Sequence, residues 1–168
     1  MKPIHDRMPR SFTWVVFITL SLVFSATTLP AFAQEQGFRG WEADSDYNKL
    51  YNPKELDRIK GEVIKFEEIT PLKGMAPGTA LYLDEGDGEP ILVHLCPVAY
   101  ANIKETGIKR RMKAKIRGSW AVIDGEDVFL ASKVKQGDHF DFKVRLTSDG
   151  TPFWTMSPEQ LAKELASE

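Results

Sequence analysis

One cysteine and three histidines are all that this 168-residue sequence offers in soft or imidazole ligands. A single thiol excludes an internal disulfide framework, a four-cysteine zinc site and a CxxCH haem attachment. His5, His94 and His139 are too scattered for an HExxH metalloenzyme. Charge of one sign is missing too: the net charge is −2, where a dedicated nucleic-acid binder carries a basic excess. P-loop, GxGxxG and GxSxG motifs are absent, so the motif-based nucleotide, dinucleotide and serine-nucleophile readings have no support. The only cysteine and the only core histidine have no evident third member to activate them, and a protein that is not an enzyme is expected.

What is present suffices for a packed core. Hydrophobic residues make up 42% of the chain and charged residues 27%, with ten Phe, four Trp and four Tyr, which excludes wholesale disorder. The length fits one domain with appendages. Lys2, Arg7 and Arg10 precede an uncharged apolar run at 12–24, followed by Pro30 and then Ala31-Phe32-Ala33. This is the three-part pattern of a secretory signal peptide cleaved after Ala33. The alternative is an uncleaved anchor, because the 22 residues 12–33 carry no charge. Either way residues 1–33 are an address, and the remainder, with 19 Lys+Arg against 23 Asp+Glu, crosses a membrane.

Residues 34–56 are polar but carry Trp41, Tyr47, Leu50 and Tyr51, as a segment pegged onto a domain would. From Ile59 the texture turns to β. Residues 60–69 alternate imperfectly, as a bulged strand does, with Gly61 placed for close backbone approach. Residues 79–83 and 90–95 read as short strands around an acidic turn, and 98–103 as a turn or two of helix. Residues 111–120 alternate cleanly, with Met112, Ala114 and Ile116 predicted inward and Arg111, Lys113, Lys115 and Arg117 outward. A tight turn at 123–126 leads into a strand at 127–134. Residues 140–146 alternate again, an Asp149-Gly150 turn leads to a hairpin return at 152–154, and Ser157-Pro158 opens a short helix.

Three strands, a short helix and two more strands is the order of an OB-like Greek-key barrel. The expected fold is therefore all-β: a barrel over 57–137, then a hairpin-and-helix extension over 138–168. Three blocks point further: GWxxxSxYNxLYNP (40–53), TPxKGMxPG (70–78) and VHLxPxxY (93–100). They resemble a family of exported bacterial OB-like proteins that includes the domain shared by the magnetosome proteins MamS and MamX. The resemblance covers roughly residues 38–137. It implies a role in magnetite crystal growth and maturation at the magnetosome membrane. Lacking CxxCH motifs, the chain is more similar to MamS than to the haem-carrying MamX, and no haem is implied. No catalytic residue carries over from the family.

Four groups of residues are candidates for binding. The acidic turn, Asp84, Glu85, Asp87 and Glu89, offers the hard oxygen donors that iron, calcium or magnesium accept, against the ordinary reading of a solvated hairpin. His94 and Cys96 stand two apart on a strand and so share a face, an opening for a metal site that still needs further ligands. Met75, His139 and the acidic turn are the nearest in sequence. The basic strip Lys104, Lys109, Arg110, Arg111, Lys113, Lys115 and Arg117 is opposed only by Glu105. It suits a partner protein or an anionic membrane surface better than nucleic acid, since aromatics are sparse among the charges. Its plain reading is a solvated face that discourages edge pairing. Trp41, Tyr47 and Tyr51, with Lys73 and Met75, are candidates for a small-molecule groove or simply for packing.

The reading these features support is an exported accessory protein, in the periplasm or at the magnetosome lumen and membrane. It would contact other magnetosome or envelope proteins, possess no cofactor beyond weakly held iron, and bind no nucleic acid. The rivals are a general periplasmic ligand-binding or envelope-stress OB protein, and a metal-dependent redox protein using His94 and Cys96.

Overall fold

The computed structural model describes residues 36–86 and 88–167. Residues 1–33, where a signal peptide or anchor is expected, and the acidic-turn residue Asp87 lie outside the described residues. Six strands form the body: β1 (Asp57–Ile69), β2 (Gly78–Asp84), β3 (Ile91–Pro97), β4 (Lys113–Ile123), β5 (Glu126–Gln136) and β6 (Phe140–Lys143). Their order in the sheet is β3-β2-β1-β4-β5-β6, all antiparallel neighbours, and a parallel pairing of β3 with β5 closes the ring. This is the all-β, barrel-like architecture expected. Among the described residues no helix is long and apolar enough to cross a membrane.

β1 pairs with β4 through its first half and with β2 through its second, so one long strand serves two neighbours. The predicted irregularity is a register shift between Val63 and Lys65. Gly61 marks a close backbone approach: a Cβ there would sit 2.2 Å from the Asp84 carbonyl oxygen. Only glycine fits such a contact without moving the backbone.

Two apolar clusters result. The first fills the barrel, with Val63, Leu81, Leu83, Val93, Leu95, Ile116, Phe129 and Val134 among its members. The second lies under the N-terminal segment and gathers Trp41, Tyr47, Tyr51 and Met75 against Ile123, Val128 and Leu130. β5 serves both. A register shift between Arg117 and Gly118 skips Ser132, and beyond it Phe129 and Ala131 join the barrel while Val128 and Leu130 join the second cluster. The Trp41 indole N–H donates to the Ala76 carbonyl at 2.8 Å, and Trp154 Nε1 donates to the Trp41 carbonyl at 2.7 Å. A buried Trp41 and a half-buried Trp154, both with satisfied donors, hold the segment as apolar mass and hydrogen-bond anchor.

The structure corrects three local expectations. Residues 98–103 form turns, not helix: the Tyr100 and Ala101 N–H groups both donate to the Pro97 carbonyl. Asn102 Oδ1 then takes the N–H groups of Lys104 and Glu105, competition that ends any helix. Met112 is 40% exposed rather than inward. Arg111 adopts φ 58°, and both it and Met112 bond to Val63 ahead of the strand, so the alternation begins only at Lys113. Finally, β6 stops at Lys143 and the expected hairpin return is a single bridge, Arg145 to Pro152, followed by a 3₁₀ turn at Phe153–Thr155. Proline has no N–H with which to extend a ladder. The terminal helix α1 (Pro158–Ala166) forms as predicted, with a reciprocal capping box between Ser157 and Gln160.

Candidate functional site

Three basic-apolar-basic triplets line up side by side across the sheet: Arg58-Ile59-Lys60 on β1, Lys115-Ile116-Arg117 on β4 and Lys133-Val134-Lys135 on β5. The register pairs Ile59 with Ile116 and Ile116 with Val134, and these apolar middles are buried in the barrel. Strand alternation then sends all six flanking cations to the outer side. Arg58 stands opposite Arg117, Lys60 opposite Lys115, Lys115 opposite Lys135 and Arg117 opposite Lys133. Together they line an open groove of about 520 Å³.

Counter-charge is scarce there. Asp141 on β6 pairs with Lys133 at 2.5 Å and reaches Lys135 at 3.9 Å. No described carboxylate lies within 4.0 Å of the charged ends of Arg58, Lys60, Lys115 or Arg117. The carboxylates nearby serve the backbone instead. Asp57 Oδ1 accepts from the Arg58 N–H at 2.7 Å, and Glu85 Oε1 from the Lys60 N–H at 3.1 Å. Both occupy donors on the stretch of β1 that lies beyond its ladder with β2, which blunts that edge against strand addition.

Lys115 and Arg117, from the basic strip expected in the sequence, line this groove. Lys113 lies one rung away, opposite Glu62. Lys109, Arg110 and Arg111 do not line it. They belong to the loop before β4, where Arg110 Nε donates to the Ile64 carbonyl and the Lys109 backbone exchanges two hydrogen bonds with the Gln136 amide. Arg58, Lys60, Lys133 and Lys135 were not singled out from the sequence. The repeated basic-apolar-basic triplet was the signal that would have found them.

The remaining candidates do not line it. In the acidic turn, Asp84 Oδ1 accepts from the Gly86 N–H at 2.8 Å and Glu85 from Lys60 as above, while Glu89 is exposed. Among the described residues no three His, Cys, Asp or Glu side chains stand close enough to hold one metal ion. His94 and Cys96 are both buried but have different partners. His94 Nδ1 shares a hydrogen bond of 3.2 Å with the Tyr47 hydroxyl, and the two rings stack. The Cys96 thiol donates to the Ala101 carbonyl at 3.5 Å. Burial pushes the His94 pKa down to about 4 and the Cys96 thiol up to about 12, so both are neutral near neutral pH. Trp41, Tyr47, Tyr51 and Met75 are buried in the second cluster, and Lys73 is exposed.

One buried cation had no sequence signal. Arg145 is 3% exposed, with its guanidinium 5.1 Å from the Tyr51 ring and 4.9 Å from the Trp154 ring. Its Nε and Nη1 have no hydrogen-bond partner, and neither has the Tyr51 hydroxyl. Burial lowers its pKa, opposed by Tyr47 and Tyr51. Aromatic faces, rather than a carboxylate, accommodate this charge.

A search of curated proteins found none that matches the chain. The barrel and its basic face fall instead within the span of a known family model. Residues 55–140, from just before β1 to the start of β6, match the MamS/MamX magnetosome protein family, and the chain belongs to that family.

Proposed function

We propose that this chain is an exported, non-catalytic accessory protein of the magnetosome that influences magnetite crystal growth by docking onto a partner protein through the basic face of β1, β4 and β5. Family membership supports the magnetosome setting over a general envelope role. The observation that carries the docking reading is the row of six cations in which a single described carboxylate, Asp141, forms ion pairs. A strip that merely guarded an edge would lie on an edge strand. β4, however, is flanked by β1 and β5. Clustered surface charge of one sign steers an oppositely charged partner and fixes its register.

The test is crystal size in cells that produce Lys115→Glu/Arg117→Glu at the wild-type protein level. Smaller or misshapen crystals are expected. Wild-type crystals, with the variant folded and present in normal amount, would overturn the proposal.

A further inference from the structure

We infer that the partner segment received by this face is an extended acidic peptide carrying Asp or Glu at alternate positions. This rests on the docking role proposed above and specifies its chemistry. Within each triplet the two cations are two residues apart on a strand, which spaces them by about 6.7 Å. An extended peptide presents alternate side chains on one face at the same spacing. Adjacent strands repeat the pair about 4.8 Å away, so a carboxylate over the groove meets a cation from more than one strand.

The fold itself does not call for this arrangement. Ile59, Ile116 and Val134 supply the core contacts, and any polar residue would serve at the flanking positions. Instead four directly opposed pairs carry like charge, each a modest destabilisation that an anionic ligand relieves. The groove's volume and six cations suit several anionic groups in a row rather than one small ion. Its lining contains no aromatic ring on which a nucleic-acid base would stack. Exposed Trp120 and Val122, the sort of residue that anchors a membrane face, form no part of that lining either. A flat lipid surface also meets a groove poorly.

The experiment measures binding of labelled peptides to the full chain by fluorescence anisotropy. One peptide alternates Glu with Thr; an isomer of the same composition places its Glu residues in one block. Phosphatidylglycerol vesicles and single-stranded DNA are the competing probes. The alternating peptide is expected to bind more tightly than the block isomer, and binding should weaken steeply with salt. In Lys115→Glu/Arg117→Glu it should weaken at least about tenfold, and in the off-groove control Lys104→Gln/Lys109→Gln it should be unchanged. Each new glutamate faces lysines or an arginine across the ladder, which favours folding; Lys115→Gln/Arg117→Gln gives a milder second variant.

Equal binding of the two peptides, equal loss in the control, or no binding by wild type would overturn the inference. So would tighter, groove-dependent binding of vesicles or DNA. Altered crystals in the Lys115→Glu/Arg117→Glu cells alongside failed peptide binding would leave the docking role standing and remove only the acidic-peptide partner.

Discussion

Acidification should destabilise this protein through His94 in particular, and the size of the effect follows from its burial. The ring lies under Tyr47 with desolvation as the cause of its depressed pKa, from 6.5 to about 4. Above pH 6.5 both folded and unfolded chains hold a neutral imidazole, and His94 contributes no pH dependence. Between 6.5 and 4 the unfolded chain binds a proton that the folded chain refuses, so stability falls with pH across that window. Below about 4 both states are protonated and the loss levels off. Integrating from pH 7 to pH 4 gives a loss of about 3 kcal/mol from this one group. The assay is urea unfolding at pH 7, 5.5 and 4 for wild type and His94→Gln, which retains a hydrogen-bonding side chain but does not titrate. Carboxylates contribute alike to both proteins and cancel in the comparison. The wild type should lose about 3 kcal/mol more than the variant, about 1–2 M in urea midpoint. Parallel pH profiles for the two proteins would refute the claim that a buried neutral His94 underlies the acid sensitivity.

Arg145→Met should stabilise the fold by about 1 kcal/mol. Two guanidinium nitrogens without partners cost about 1–3 kcal/mol each, more than the about 0.5–2 kcal/mol returned by each aromatic face. A fall of about 2 kcal/mol or more in calorimetric or urea stability would show that the stacked cation is a net contributor. Gly118→Ala should be severely destabilising, by about 3 kcal/mol, because its Cβ would lie 2.1 Å from the Leu130 carbonyl oxygen and 2.7 Å from Phe129. The carbonyl is ladder backbone and cannot swing aside as a flexible side chain would. A variant within about 0.5 kcal/mol of wild type would mean that β4 and β5 separate more readily than their register implies.

Much of the architecture is local chemistry and was legible in the sequence. Alternation of period two placed β4, with Ala114 and Ile116 inward and Lys115 and Arg117 facing out. Gly61 and the broken alternation around it foretold the irregular β1, and Ser157-Pro158 foretold the capped helix. Motif blocks carried the family, which depends on residue identity more than on geometry. Failures came where a neighbour supplied the deciding force. Met112 lost its inward place to the Arg111 turn and its bonds to Val63. The helix expected at 98–103 lost to Asn102, whose side chain takes the N–H groups a helix would use.

The basic face divides the same way. Lys115 and Arg117 are visible as a basic alternation in one segment. That Arg58 and Lys60, 59 and 55 residues before their partners Arg117 and Lys115, and Lys133 and Lys135 downstream stand beside them is a matter of register. Register is set by burying Ile59, Ile116 and Val134 on one rung, and a slip by one residue would turn every one of these cations into the core. Arg145 is the clearest case of tertiary control. Its flanking sequence reads as an outward strand position, yet Tyr51 and Trp154, from opposite ends of the described chain, enclose it. The sequence by itself determined which residues alternate, cap and turn; only the closing of the barrel decided which charges meet, because contacts between distant segments exist only once the strands have paired.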